Sequence, residues 1–157
     1  MTSTIVPLAL AALLLSAACG GTKQPIQTAT EQIQQPARRL AETIVNASFV
    51  VEPRTYKSFK LVVGPGAGHP RLEGTFTASG ANNDIEVMVL EESQFLNWQN
   101  RHNFTATYES GRVTADTIRL ELPPSPATYY VVFSNRFSIW SNKGVVADVK
   151  LLFERGL

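Results

Sequence analysis

The chain has 157 residues, 44% of them hydrophobic, with 14 Lys and Arg against 13 Asp and Glu. That length holds one domain with attachments. A net charge of +1, with no like-charge run longer than a pair, argues against nucleic acid or an anionic membrane surface as the target. The single cysteine, Cys19, rules out an intrachain disulfide, so the fold has to rest on its apolar core.

Residues 5–15 form an apolar run broken only by Pro7. The run suits the hydrophobic region of a signal peptide and falls short of the ~20 residues a spanning helix needs. Ser16, Ala17 and Ala18 follow, then Cys19. This resembles the lipobox of bacterial lipoprotein signals, in which the cysteine becomes the acylated N-terminus after cleavage. The resemblance implies residues 1–18 as signal peptide and lipidation at Cys19 with palmitate-type chains. Such chains anchor at about 0.8 kcal/mol per buried CH₂. The alternative is an ordinary secretory signal cleaved near Ala18, leaving Cys19 as a free thiol.

Residues 20–35, GGTKQPIQTATEQIQQ, hold few large apolar side chains and cannot bury enough surface to offset their ordering entropy. They are expected to be flexible, so residues 19–41 are read as a lipid-anchored tether. Pro36 suits the first position of a short helical turn within it. The domain is expected over 42–157.

Within it, residues 44–51 (IVNASFVV) and 56–63 (YKSFKLVV) predict two strands separated by a turn at Pro53-Arg54-Thr55. Three glycines and two prolines make 64–70 a loop. Leu72, Gly74, Phe76 and Ala78 alternate with polar residues, and after a turn at 80–83 so do Ile85, Val87 and Val89. Phe95, Leu96 and Trp98 are expected in a helical turn or loop that plugs one end of the domain. Phe104, Ala106 and Tyr108 predict another strand, with Ser110-Gly111 turning into a long run over 112–122. Pro123 and Pro124 end that run, since proline cannot donate to a ladder. Residues 128–134 and 145–153 supply the last two strands. About eight short strands at regular spacing predict an all-β fold, an antiparallel β-sandwich of jelly-roll kind.

The segments GTFTASG (74–80), NNDIEVMVLEESQFLNW (82–98), YESGRV (108–113) and PATYYVVFSNRFSIWSNKGVVADVKLLF (126–153) together resemble GOLD domains. These are the lumenal sandwiches of emp24/p24 cargo proteins. The Asp-aliphatic strand before a tyrosine-rich one is also similar to bacterial pre-peptidase C-terminal domains. The likeness spans 44–154 at the level of pattern. It implies a non-enzymatic module that binds protein or sits beside a catalytic domain, and it supplies no catalytic residue.

Signatures of nucleophilic catalysis are absent from the sequence: there is no Gly-x-Ser-x-Gly, and Cys19 lies outside the domain. His69 and His102 have no zinc-ligand spacing. No metal or cofactor is expected. Asn82, Asn83 and Asp84, with Glu91 and Glu92 further on, carry oxygens of the kind calcium takes, although Asn and Asp are also ordinary turn formers. Trp98, Trp140 and Tyr130 are the possible ligand-binding residues, as flat rings on which a sugar could stack. The expected function is a protein-interaction module anchored by lipid in a bacterial cell envelope, at the outer membrane and facing periplasm or surface if Gram-negative. The alternative is a carbohydrate-binding lipoprotein that uses its exposed aromatics.

Overall fold

A computed structural model describes residues 37–156. Among them are eight strands and one helix. The strands are β1 (Arg38–Val51), β2 (Tyr56–Val63), β3 (Gly68–Ser79), β4 (Ile85–Glu91), β5 (Tyr108–Val113), β6 (Ala115–Glu121), β7 (Ala127–Ser134) and β8 (Lys143–Arg155). The helix α1 (Glu92–Gln99) lies between β4 and β5.

Strand β1 pairs with β8, β2 with β7, β3 with β6 and β4 with β5, all antiparallel. These are the nested pairs of one long hairpin. Two more pairings, β3 with β8 and β4 with β7, roll that hairpin into two sheets, ordered β1-β8-β3-β6 and β2-β7-β4-β5. The architecture is an all-β jelly roll, as the alternation predicted.

Alternation also sets the core. Val145, Ala147, Val149 and Leu151 of β8 face inward and meet Val87 and Val89 of β4 and Tyr129, Val131 and Phe133 of β7. Phe133 is the centre of the aromatic packing, edge-on to Phe49 at 5.2 Å, Phe59 at 5.9 Å and Phe76 at 6.0 Å. Ile118 and Leu122 are buried as expected, whereas Leu120 between them is half-buried. It lies on β6, an edge strand with a neighbour on one side only. The four edge strands carry charge, including Arg39 and Glu42 on β1, Lys57 and Lys60 on β2, Glu109 and Arg112 on β5, and Arg119 and Glu121 on β6. Charge on an edge discourages pairing with another chain.

Four local expectations change. The helical turn after Pro36 is instead strand, because β1 extends back to Arg38 and pairs it with Arg155. The domain therefore reaches into the stretch read as tether. The apolar residues of α1 do not plug an end of the sandwich. Phe95 and Trp98 lie on the outer face of the second sheet against Met88, Leu90 and Val132, so the centres of β4 and β7 are buried on both sides. Residues 104–107 are not strand. Ser110-Gly111 is not a turn either, because β5 runs through it with a register shift opposite Glu86 and Met88. Gly111 takes φ 64° there, which a glycine adopts without strain, and the Ser110 hydroxyl accepts a hydrogen bond from the Val87 N–H at 2.9 Å. The chain turns at Thr114 instead.

Glu86, half-buried on β4, illustrates how the sheet perturbs a charge. Burial lifts its carboxyl above the usual glutamate range, Glu109 adds to the lift, and Arg112 opposes it. The unfolded chain ionises this group at lower pH, so at neutral pH the ionised form weakens folding. Glu86→Gln should therefore raise the melting temperature at pH 7, and the gain should disappear below the ordinary glutamate pKa. A melting temperature unchanged or lowered at pH 7 would contradict this.

Candidate functional site: the loop end of the jelly roll

The β1–β2 turn, the β3–β4 turn and the β7–β8 loop gather at one end of the sandwich. The start of β1 and the end of β8 lie at the other. Strand β1, with 14 residues, separates the two ends by about 45 Å at ~3.4 Å per residue.

Asn135, fully buried, ties the β1–β2 turn to the β7–β8 loop. Its side-chain amide donates to the Val51 carbonyl at 3.1 Å and the Ser141 carbonyl at 2.9 Å. Its backbone N–H donates to the Thr55 carbonyl, and its own carbonyl accepts from the N–H groups of Arg54 and Ser138. Ser138 and Ser141 close a small loop through their hydroxyls at 2.9 Å. Ile139 and Trp140 stand at its apex, 53% and 90% exposed.

The β3–β4 turn is fastened from within. The Gly80 N–H donates to Asn83 Oδ1 and the Asn83 N–H to the Gly80 carbonyl, both at 2.9 Å. Lys143 places its ammonium beneath this turn, donating to the Gly80 carbonyl at 3.2 Å and to the Asp84 carboxylate. The carboxylate considered for calcium is therefore bonded to a lysine. Among the described residues no three His, Cys, Asp or Glu side chains gather as metal ligands.

Beside the apex loop lies an open cleft of about 750 Å³ at the C-terminal end of α1. Trp98 is 7% exposed, and its surroundings occupy its ring. The Arg136 guanidinium lies over it at 3.9 Å from the ring centre, Tyr56 meets it edge-on at 4.8 Å, and Phe95 stacks beyond. Arg136 also donates to the Trp98 carbonyl at 3.1 Å, capping the helix end. Tyr130 stacks on Phe95 at 4.2 Å and donates to Glu92. The three aromatic candidates thus divide. Trp98 and Tyr130 flank Phe95 in one packed cluster, and Trp140 pairs with no other ring among the described residues.

The chain matches no protein-family model and no curated protein.

Cys19 lies outside the described residues. His69 and His102 are both exposed, His69 at the start of β3 and His102 on the cleft wall. Among the described residues no helix is long and apolar enough to cross a membrane. The sequence reading missed Asn135 as the loop anchor and Lys143 as a buried cation. A signal existed for both. Position 135 has the inward parity of Tyr129, Val131 and Phe133, and position 143 has that of Val145 and Ala147. The convergence of Arg54, Arg101 and Arg136 had no signal, because three separate loops supply them.

Proposed function

We propose that the protein is a non-enzymatic interaction module, held at a bacterial envelope membrane through acylated Cys19, that binds another protein with the loop end of its jelly roll. The observation that carries this is Trp140, 90% exposed at the apex of a loop whose base is locked by buried hydrogen bonds. An indole in water on a pre-organised loop costs solubility and adds little to the core. Tryptophan is also among the residues that most often dominate protein interfaces. In this reading the sandwich serves as its resemblance to GOLD domains implies, as a non-enzymatic module that binds protein.

The alternative use, sugar stacking, has less to stand on. Trp98 and Tyr130 have their rings occupied by Arg136, Tyr56 and Phe95, so of the three aromatic candidates a sugar would have Trp140 alone.

Two variants test the two halves. Cys19→Ser should leave the membrane fraction, and the wild-type N-terminus should carry acyl mass. Trp140→Ala should melt like the wild type, within about 0.5 kcal/mol, and lose a partner that wild-type protein cross-links in intact envelopes. Equal cross-linking by both proteins, or competition by neutral oligosaccharides alone, would reject the protein-binding reading.

A further inference from the structure

The cleft beside Trp140 concentrates positive charge in a chain that has almost none in excess. Arg54 comes from the β1–β2 turn, Arg101 from just past α1, and Arg136 from the β7–β8 loop. Trp98, His102 and Phe104 line the cleft with them, and no Asp or Glu does. The chain as a whole has a net charge of only +1. Three permanently charged guanidinium groups without a lining carboxylate therefore reflect placement and not composition.

The described residues form four ion pairs, Arg39–Glu154, Arg71–Glu73, Lys143–Asp84 and Lys150–Asp148, and none involves Arg54, Arg101 or Arg136. One of these three has a structural duty: Arg136 caps the helix end and covers Trp98. The side chains of Arg54 and Arg101 make no hydrogen bond among the described residues. Both sit at φ 61°, an uncommon backbone conformation for a non-glycine residue. Their positions are fixed from below. The Arg54 N–H donates to the Asn135 and Ser138 carbonyls at 3.0 and 3.1 Å, and the Arg101 N–H to the Trp98 carbonyl at 3.3 Å. Planar guanidinium forks on a fixed backbone match carboxylates, which they bind in bidentate pairs.

We propose that this cleft binds an acidic peptide segment, with Arg54 and Arg101 pairing its carboxylates and Arg136 holding the floor. The proposal deepens the protein-binding reading above and rests on it. It names the chemistry of the partner, whose acidic stretch would lie beside the surface that Trp140 engages. Peptide is favoured over acidic sugar because the largest ring in the cleft, Trp98, already has Arg136 on its face, which leaves only the smaller Phe104 there for stacking.

The chain holds two tryptophans, so in a Trp140→Phe background Trp98 becomes the sole indole and reports on the cleft. A hexaglutamate peptide added to this protein should change Trp98 emission saturably, and the apparent affinity should fall as salt rises. Arg54→Gln and Arg101→Gln should each weaken binding roughly tenfold, the size of one charged hydrogen-bonded contact. The corresponding Arg→Lys variants, which keep the charge, should bind between the two. Unchanged melting of each variant would show that folding is intact, and a variant that does not fold is replaced by its Lys counterpart. No saturable change, or the same affinity in the Gln variants, would overturn the proposal. Tighter binding of trigalacturonate or inorganic phosphate than of the peptide would also overturn it, and would reassign the cleft to acidic sugar or free anion. Absence of saturable peptide binding, with cross-linking still lost in Trp140→Ala, would fail the cleft proposal alone, whereas equal cross-linking by wild type and Trp140→Ala would fail the docking reading.

Discussion

Phe133→Ala should cost about 3–5 kcal/mol, the range for emptying an aromatic site in a packed core. Phe133 has no exposed surface and meets Phe49, Phe59 and Phe76 edge-on, so its removal strips one partner from three aromatic pairs at once. Phe49 comes from β1 and Phe76 from β3 of one sheet, whereas Phe59 comes from β2 of the other. The loss therefore falls on the contact between the sheets, where collapse into the space is restrained by two hydrogen-bonded layers. Against a typical total of about 5–15 kcal/mol, the variant would be marginal or unfolded. Arg119→Ala, at an exposed position on β6, should cost under about 0.5 kcal/mol. Urea melts of the two variants decide the matter, and comparable losses would mean that the inward face of β7 is misassigned.

Asp84→Asn should be nearly as damaging, at about 3 kcal/mol or more, by a different route. The substitution keeps the shape of the side chain and removes the counter-charge of Lys143, whose side chain is 2% exposed. The remaining contacts of that ammonium are the Gly80 carbonyl and, at 5.8 Å, the Phe137 ring. Lys143→Met should be milder. It leaves Asp84, whose side chain is 21% exposed, able to take up water, and it removes the buried cation while keeping most of the side-chain volume. The double variant should recover most of the loss, because removing both charges of a buried pair is often close to neutral. Chemical denaturation of all four proteins closes the cycle. Strictly additive losses would show that the two groups do not interact. Raised salt should change the single-variant losses little, since a buried pair is poorly screened.

The sandwich was legible because strand alternation is a local property. Parity along 145–153 and 128–134 separates the side chains that face the core from those that do not, and it names Val131, Phe133, Val149 and Leu151 without knowledge of the partner strands. Parity was less informative in two places. On β4 and β7 the outward residues Met88, Leu90 and Val132 are buried as well, since α1 lies over them, and alternation cannot show what covers the second face. On β6, Leu120 has the right parity and is only half-buried, because burial at a sheet edge depends on neighbours that sequence does not supply. The turn expected at Ser110-Gly111 failed for a related reason. Glycine permits a positive φ in a bulge as readily as in a turn, and the partner strand decides between them.

The aromatic candidates divided on the same principle. Trp98, Tyr130 and Trp140 are alike as residue types, yet Trp98 is shielded by Arg136 and Tyr56, Tyr130 is stacked on Phe95, and only Trp140 stands almost wholly in water. By itself the sequence determined the all-β class, the strand faces and most strand positions, all properties of short stretches read along the chain. Only the tertiary structure decided which strands pair, that Lys143 lies buried against Asp84, and that Arg54, Arg101 and Arg136 share one cleft. The nested pairing of the jelly roll brings together residues far apart in sequence, and no local pattern records which distant residues a folded chain makes neighbours.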